Sequence, residues 1–314
     1  MKSENLLELD IFHLRHMLTV FGTIALDTTR TPFKIESNIL GGAATFASIA
    51  SSMFTETSIV GIVGSDFPEE YRNILDKRID TRGIITDDSE KTFHYDSSFD
   101  YDLAHRTTIK TELNVIRQFE PVIPNEYVES EYVYLANNDP CQNLKILKYF
   151  LNRKLVICDT IEYWILNSRD SVVEMMRSVD GVVINDDEAR LLCKNTNLVK
   201  CAKIIISWGP RFVIVKKGEN GSLLVTADLV FPASAYPLEE IVDPTGAGDS
   251  FAGGFIGHMA RKKDFSLSTL KEAVIYGNVM GAFAVEDFGV KRLLSVTSED
   301  IQTRYQEYRN LTQF

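Results

Sequence analysis

The residues with the clearest chemical meaning stand together at positions 243–251, which read Asp-Pro-Thr-Gly-Ala-Gly-Asp-Ser-Phe. Gly246, Ala247 and Gly248 carry little or no side chain, so their backbone N–H groups can point into one concavity. If a helix begins here, its first turn adds unpaired N–H donors and a partial positive charge, which favour an anion such as phosphate. Asp249 is a carboxylate inside this anion site, where phosphoryl transfer needs a general base.

Two glycines and an aspartate earlier in the chain fit the acceptor side of such a site. Gly41 and Gly42 open a stretch of small residues with a helical pattern, and paired glycines at a helix start let a ligand approach the backbone. Tight helix–sheet packing would use the same residues. Asp27 follows the first predicted strand, where a carboxylate can bind vicinal hydroxyls of a sugar or nucleoside. A turn-capping role explains this aspartate equally well.

Two other segments follow predicted strands. Asn185 and Glu188 are three residues apart at a predicted helix start, so both can face one crevice across the first turn. They are candidates for an outer shell around Mg²⁺, which keeps several of its waters, and helix capping is the alternative. The run Lys216–Gly221 ends another strand with a turn, and its glycines serve either as turn residues or as the edge of a nucleotide site.

Apolar runs of strand length alternate with helical patterns along most of the chain, which predicts βαβ units and a mainly parallel sheet. Nearly continuous β-branched cores are typical of strands covered on both faces. The predicted strands are Leu18–Ile24, Ser58–Val63, Tyr132–Leu135, Leu155–Cys158, Gly181–Ile184, Phe212–Val215 and Ser222–Val225. The predicted helices are Ala43–Phe54, Pro68–Lys77, Asn143–Asn152, Ser171–Ser178, Asp187–Lys194, Leu198–Trp208, Ala247–Arg261, Leu267–Asp287 and Glu299–Leu311.

Two segments interrupt this alternation, Leu26–Leu40 and Thr92–Ile116. In the second segment, two runs of alternating apolar and polar residues flank a polar, turn-like stretch, Ser97–His105. This pattern predicts a hairpin. Together the two segments are predicted to form a small β lid, which would keep water away from a phosphoryl-transfer site. Two surface hairpins without a function are the alternative.

The composition narrows the class of protein. A chain of 314 residues with 45% hydrophobic residues can bury one large α/β core. A net charge of −11 argues against a nucleic-acid or membrane surface as partner. The four cysteines lack CxxC spacing and are expected to be reduced thiols rather than metal ligands. The first residues fit neither a signal peptide nor a membrane span, so we expect a cytoplasmic protein.

From about Leu18 to Gly289 the chain resembles the ribokinase-like (PfkB) carbohydrate kinase family. Residues 243–249 are similar to the family signature Asp-(Thr/Pro)-x-Gly-Ala-Gly-Asp, Gly41-Gly42 to its diglycine, and Asn185-x-x-Glu188 to its NxxE motif. The resemblance implies a three-layer α/β/α fold with a mainly parallel central sheet and a small β lid. It implies a single kinase domain over residues 1–314, with lid segments at approximately 27–40 and 91–117.

The resemblance also implies Mg²⁺ and ATP, with ADP as the alternative phosphoryl donor. Asp249 would be the base, and the N–H groups of Gly246, Ala247 and Gly248 the anion hole. The acceptor would be held by Asp27, Gly41, Gly42 and Asn137 (or its neighbour Asn138), and Mg²⁺ with its waters by Asn185 and Glu188. The nucleotide would be bordered by Lys216, Gly218, Gly221, Thr245 and Asn278, and Asp243 would fall at a monovalent-cation (K⁺) site.

Two departures from the family pattern bear on the acceptor. Many members have an asparagine that contacts the sugar where this chain has Phe46, so we expect a pocket that is more apolar on that side. The run Asp159–Tyr163 lacks the arginine of the Asp-x-Asn-x-Arg run found in sugar-acid kinases, which favours an uncharged sugar or a nucleoside. Lids in the family sometimes pair between subunits, which makes a homodimer through the lid a candidate.

A function of another class stays open at this point. The same fold can serve a non-catalytic ligand sensor or an assembly subunit. Such a protein has no need of Asp249, the anion hole and the Asn185–Glu188 pair together. A kinase of vitamin precursors with this fold is disfavoured by the diglycine and by the two lid segments.

Overall fold

The computed structural model describes residues 17–313, which form two β-sheets and eleven α-helices. The strands are β1 (Leu18–Phe21), β2 (Ala25–Arg30), β3 (Ile35–Gly41), β4 (Thr57–Gly64), β5 (Asp80–Asp87), β6 (Phe93–Phe99), β7 (Arg106–Glu112), β8 (Tyr132–Leu135), β9 (Leu155–Cys158), β10 (Gly181–Asn185), β11 (Phe212–Lys216), β12 (Ser222–Thr226) and β13 (Val230–Ala233). The helices are α1 (Ala43–Ser52), α2 (Glu69–Asp76), α3 (Pro140–Leu147), α4 (Glu162–Asn167), α5 (Arg169–Arg177), α6 (Asp186–Cys193), α7 (Leu198–Trp208), α8 (Ala247–Lys262), α9 (Leu267–Ala284), α10 (Lys291–Ser295) and α11 (Ser298–Leu311).

The larger sheet contains nine strands in the order β13-β12-β11-β10-β9-β8-β1-β4-β5. Neighbouring strands from β11 to β5 run parallel, whereas β12 and β13 add an antiparallel edge. Parallel strands joined by helices bring their carboxyl ends to one edge of the sheet, where open α/β folds bind ligands.

Both faces of this sheet are covered. Along β8, Tyr132 and Tyr134 belong to the core that includes residues of α1, α8 and α9. The alternate residues Val133 and Leu135 belong to the core that includes residues of α3, α5 and α7. Side chains of a strand alternate between faces, so this division shows helices on both sides. The predicted three-layer α/β/α fold with a mainly parallel sheet is confirmed.

The smaller sheet has the order β3-β2-β6-β7. The two predicted interruptions of the alternation do not form separate hairpins, because β2 and β6 pair with each other in parallel across the middle of this sheet. Arg30 on β2 donates two hydrogen bonds of 2.9 Å to the Asp96 carboxylate on β6. The hydroxyls of Thr29 and Thr245 lie 3.3 Å apart and join the smaller sheet to the chain that precedes α8.

Several predicted boundaries are wrong. The first strand ends at Phe21 rather than Ile24, so the chain enters the smaller sheet earlier than expected. Ser97, Ser98 and Phe99 are strand residues of β6 rather than part of the turn-like stretch. The polar side chains that indicated a loop are tolerated there because a small sheet has little core to bury.

Helix ends differ for local reasons. α3 covers Pro140–Leu147 instead of Asn143–Asn152, because Asp139 accepts a hydrogen bond of 2.8 Å from the Cys141 N–H and Pro140 stands at the first helical position. α9 ends at Ala284 instead of Asp287. The strands β5 and β13, at the two edges of the larger sheet, lack a continuous apolar run and were not predicted.

Over the described residues, the helices include none with both the length and the apolar character needed to cross a membrane.

Candidate functional site

The side chains predicted to do chemistry meet in a crevice at the carboxyl end of the larger sheet. Lys216 ends β11, Asp159 follows β9 directly, and Asp249 lies in the first turn of α8. Asp27 enters from β2 of the smaller sheet, close enough for its charge to interact with that of Asp249. The crevice therefore lies between the start of α8, the edge of the larger sheet and the smaller sheet.

Asp249 has the electrostatic properties of a base that works near neutral pH. The pKa of its carboxyl is raised to about 6, mainly because burial removes it from water. The charge of Asp159 acts in the same direction, and the charges of Lys216 and Arg106 oppose the shift. A carboxyl with this pKa is ionised at pH 7 and still has a useful affinity for a proton. Its backbone N–H and the start of α8 stabilise the ionised form.

The turn before Asp249 is shaped for an anion. Gly246 caps α8 with a φ of 76°, in the left-handed region that glycine adopts at little cost. Within residues 17–313, the N–H groups of Gly246 and Gly248 have no hydrogen-bond acceptor, whereas the N–H of Ala247 donates to the Pro244 carbonyl at 3.3 Å. Two of the three predicted anion-hole donors are thus free, and the third is held by a long hydrogen bond.

Phe46 supports this turn instead of lining a pocket. The side chain is only 1% exposed, and a Cβ on Gly246 would collide with its ring. The expectation that Phe46 makes the acceptor pocket more apolar is wrong, because the ring fills the core beneath the anion-binding turn.

Asp27 lies in the middle of β2 rather than in a turn, and its carboxylate bonds to the N–H of Gly42 at the start of α1. The residue is 5% exposed, and its Oδ1 atom has no hydrogen-bond partner among the described residues. The pKa of the carboxyl is raised to about 7, mainly by burial. Repulsion from Asp243 and Asp249 contributes to this shift, and the N–H of Gly42 opposes it. A buried acceptor atom without a donor is costly unless a ligand supplies one.

The diglycine makes room for Asp27. A Cβ on Gly41 would overlap the Oδ2 atom of Asp27, and Gly42 caps α1 with a φ of 94°. The two glycines thus accommodate the Asp27 carboxylate in addition to opening the helix.

Lys216 forms a buried ion pair with Asp159, a residue that the sequence did not mark as functional. The Nζ of Lys216 lies 2.5 Å from Oδ2 of Asp159, and the hydroxyl of Tyr134 donates to the same oxygen at 3.4 Å. Nearby carboxylates raise the pKa of the Lys216 ammonium although burial opposes this. Its place directly after β9, at the ligand-binding edge, is a signal that could have identified Asp159.

Asn185 and Glu188 form a capping box. The Asn185 Oδ1 accepts from the Glu188 N–H at 2.7 Å, and the Glu188 Oε2 accepts from the Asn185 N–H at 3.0 Å. The capping alternative is therefore present in the structure. It does not exclude an outer role around Mg²⁺, because each oxygen retains a further lone pair.

The charge around Glu188 fits a cation that arrives with phosphates. Burial and the charge of Asp159 raise the pKa of the Glu188 carboxyl. The positive charges nearby therefore do not fully compensate the negative charge of this carboxyl. In residues 17–313, no three or more His, Cys, Asp and Glu side chains cluster closely enough to hold a metal ion alone. Oxygen donors with few direct protein ligands are the setting that Mg²⁺ prefers.

Asn137 and Asn138 follow β8 at the same edge. Asn137 is half-buried with its Oδ1 unpaired, and the Asn138 amide donates to Gln142 at 3.0 Å. The hydroxyl of Thr160, after β9, is also buried without a partner among the described residues. Unpaired polar atoms thus line the ends of two neighbouring strands.

Arg106 on the smaller sheet places a positive charge near the crevice. The sequence pattern did not identify this residue as functional. The positive charge of Arg106, at the start of β7, acts on the carboxyls of Asp27, Glu188 and Asp249. Its guanidinium lies 5.4 Å from the centre of the Tyr95 ring. The residue begins an alternating run, and the sequence pattern shows only that it lies on a strand.

The residues predicted to border a nucleotide are spread over the next part of the edge. Gly218 has open space around it and a φ of 54°, whereas a Cβ on Gly221 would collide with the Ala233 carbonyl. Asn278 is buried and bonds to Ser222 and the Ser234 carbonyl, so it ties α9 to β12 and the chain after β13.

Thr245 and Asp243 shape the approach to α8. The Thr245 N–H donates to Asp243 Oδ1 at 2.9 Å, and the Gly289 N–H donates to Asp243 Oδ2 at 3.3 Å. Asp243 is fully buried, and burial raises the pKa of its carboxyl. This carboxylate therefore joins the segment before α8 to the segment after α9.

Comparisons with known proteins agree with this fold. Residues 17–296 match the family described as pfkB family carbohydrate kinase. The chain is 30% identical over 256 residues to the cytidine kinase of Thermococcus kodakarensis, covering 78% of this chain and 88% of that protein. It is 27% identical over 282 residues to the nucleoside kinase of Methanothermobacter thermautotrophicus, covering 87% of both.

Solved structures show the same fold. The nucleoside kinase of Methanocaldococcus jannaschii superposes with a TM-score of 0.75 at 22% identity, covering 93% of this chain and 98% of that chain. The Burkholderia thailandensis nucleoside kinase in complex with inosine gives 0.77 at 17% identity, covering 93% and 98%. With this fold, this family match and these relatives, the chain belongs to the PfkB family and is a nucleoside or carbohydrate kinase, a phosphotransferase that acts on an alcohol group.

Proposed function

We propose that the protein transfers the γ-phosphoryl group of ATP, in the presence of Mg²⁺, to a hydroxyl of an uncharged sugar or nucleoside. One observation carries this proposal. The Asp249 carboxylate stands beside the unpaired N–H groups of Gly246 and Gly248, and Asp27 reaches the same crevice from the smaller sheet. A base, an anion site and a carboxylate oxygen without a donor thus converge.

In the proposed reaction, Asp249 takes the proton of the acceptor hydroxyl. The hydroxyl oxygen forms a bond to the γ-phosphorus, while the bond from that phosphorus to the β–γ bridging oxygen breaks and leaves ADP. The N–H groups of Gly246 and Gly248 donate to the oxygens that gain negative charge, and the Ala247 N–H joins them if it leaves Pro244.

Asn185 and Glu188 would hold Mg²⁺ through its waters. When bound, the cation neutralises charge on the donor phosphates. The Lys216–Gly221 turn would border the nucleotide together with Thr245 and with Asn278, whose side chain bonds to Ser222 directly after that turn.

An uncharged, hydroxyl-rich acceptor fits the polar atoms of the site. Asp27 Oδ1, Asn137 Oδ1 and the Thr160 hydroxyl are buried without partners among the described residues. Oxygen acceptors of this kind pair with the hydroxyl donors of a ribose or another sugar. Acceptors with a carboxylate or phosphate near Asp27 would be repelled by its charge and that of Asp243. The similarity to cytidine and nucleoside kinases makes nucleosides the first acceptors to test.

The smaller sheet would act as the lid of a single kinase domain, over about residues 27–40 and 91–117. The strand register puts Asp27 beside Tyr95 and Thr29 beside Ser97, and Thr29 contacts Thr245. This face of the sheet therefore looks toward α8 and would exclude water from the phosphoryl group.

Asp243 would stand beside a monovalent cation. It is a buried carboxylate whose two oxygens hold the segments before α8 and after α9 together, and each oxygen has a further lone pair.

Replacing K⁺ by choline should lower kcat, and equal rates in both salts would contradict this role.

A second copy of the chain would cover the outer part of the lid. Four large apolar side chains are more than half exposed there, Phe33, Ile35, Tyr101 and Ile109, and the rings of Phe33 and Tyr101 lie 5.8 Å apart. Exposed apolar patches of this kind mark interaction surfaces. Analytical ultracentrifugation should show a dimer that Ile109→Glu weakens, and a monomer at all concentrations would contradict it.

A coupled assay with Mg·ATP and separate panels of nucleosides, free sugars and sugar phosphates tests the proposed function. We expect turnover with a nucleoside or a free sugar and none with a sugar phosphate. A response to ligand binding without turnover of any acceptor would instead support the non-catalytic sensor.

The variant Asp249→Asn should lower kcat on the order of 10²–10⁴-fold, because it removes the base. Its melting temperature at pH 7.5 should not fall, since burial disfavours the ionised carboxyl that the substitution removes. Asp228→Asn, an exposed site with the same loss of charge, is the matched control. Near-normal kcat in Asp249→Asn would refute the assignment of the base.

The acceptor kcat/KM should fall as the pH decreases through 7 and then 6. Burial raises the pKa of Asp27 to about 7 and that of Asp249 to about 6, so both carboxyls gain protons over this range in the free enzyme. With acceptor bound to ionised Asp27, kcat should show only the lower of the two transitions. Asp27→Asn should lose the upper transition and raise the acceptor KM about 10- to 100-fold. An unchanged profile in Asp27→Asn would exclude this role.

The variant Arg106→Ala should raise the acceptor KM about tenfold and increase ATP hydrolysis without acceptor, because the lid loses the charge that faces Asp27 and Asp249. Lys110→Ala is the control, since it removes one positive charge from the same strand at a residue paired with Glu112. Equal effects of the two variants would show that Arg106 has no specific part in closing the site.

A further inference from the structure

Lys216 and Asp159 form an ion pair within the crevice. A role of Lys216 at the border of a nucleotide site does not explain the position of this pair. The side chains are 16% and 4% exposed. Lys216 ends β11 and Asp159 follows β9, and β10 lies between these two strands. The lysine side chain therefore reaches across the end of β10 toward the middle of the site. When such a pair is buried, the two charges lose their hydration, and their mutual attraction barely offsets that loss. A contribution to protein stability is therefore a weak explanation for this ion pair.

The ammonium of Lys216 adjoins the anion hole. A Cβ built on Gly248 would lie 2.9 Å from its Nζ and 3.4 Å from its Cε and Cδ. Asp249 and Glu188 also feel its charge, so one ammonium stands among three carboxylates. Gly248 lies within α8, where alanine would be the better helix former, so the space it leaves is used by the lysine.

We propose that Lys216 is a catalytic residue whose ammonium contacts the transferring phosphoryl group, and that Asp159 is a positioning residue that holds it there. This inference rests on the proposed function. During transfer, negative charge spreads over the equatorial oxygens of the phosphoryl group. Lys216 supplies positive charge on the side of the group next to Gly248, keeps its own proton throughout, and leaves Asp249 to take the proton of the acceptor.

The lysine also keeps Asp249 available as a base. Its charge opposes the effects of burial and of Asp159 on that carboxyl, and Arg106 from the lid acts in the same direction. Asp27, on the acceptor side, acts in the opposite direction because its charge and that of Asp249 repel each other. Loss of the ammonium therefore has a kinetic signature that a purely structural ion pair lacks.

The test compares Lys216→Met, Lys216→Arg and Asp159→Asn with Lys203→Met, which removes the same charge from an exposed position on α7. Lys216→Met should lower kcat about 10²–10³-fold with an acceptor KM within a few-fold of wild type. Its kcat should also reach its plateau at a higher pH, because the pKa of Asp249 rises. Asp159→Asn should lower kcat by less, and Lys216→Arg should recover part of the loss.

Lys216→Met leaves the charge of Asp159 buried without its partner, and this can prevent folding. Two further variants test the inference in that case. Lys216→Met/Asp159→Asn removes both charges and should fold, yet be as slow as Lys216→Met. Gly248→Ala should fold normally and lose kcat because its Cβ displaces the ammonium.

A folded double variant with kcat within threefold of wild type, or an unchanged pH profile in Lys216→Met, overturns the inference and leaves the proposed function standing. A folded wild-type protein that phosphorylates no acceptor overturns both.

Discussion

The crowding of carboxylates at one edge of a sheet is the constraint on which the rest of this structure depends. Asp27, Asp159, Glu188 and Asp243 are buried, and Asp249 is half-buried beside them. Lys216 is the one cation among the described residues that forms an ion pair with any of these carboxylates. Backbone N–H groups, a capping box and the start of α8 hold the carboxylates, because an unsatisfied buried charge would otherwise be costly.

This arrangement is unfavourable for an empty protein and favourable for a phosphotransferase. Burial raises the pKa of Asp249 to about 6 and that of Asp27 to about 7, and both shifts reflect charge that the fold does not neutralise. Hydroxyl donors from an acceptor and a cation that accompanies phosphates would supply what is missing. Functional sites commonly retain strain of this kind, and stability is provided elsewhere. Here the two buried cores on either side of the nine-stranded sheet provide it.

Sequence alone predicted the central sheet well because its strands are buried on both faces. Tyr132–Leu135 and Leu155–Cys158 were predicted to the residue, since continuous apolar runs leave little ambiguity. The smaller sheet was predicted less completely. The alternating run that begins at Arg106 marked β7, but no local pattern reveals that β2 and β6, which are far apart in the chain, pair in parallel. The motifs gave Asp249 and the diglycine, but not the partner of Lys216. Asp159 lies 57 residues away in the chain, and only the strand order brings the two together.

Phe46 changes which residues of this chain are available to recognise the acceptor. In the family resemblance this position holds an asparagine for the sugar, but here the ring lies in the core under Gly246 and supports the anion-binding turn. Selectivity for the acceptor must then come from other elements. The unpaired polar atoms of Asp27, Asn137 and Thr160 and the charge of Arg106 remain available around the crevice. A signature such as the one around Asp249 does not by itself fix the acceptor, so selectivity is to be sought in the smaller sheet and at the ends of β8 and β9.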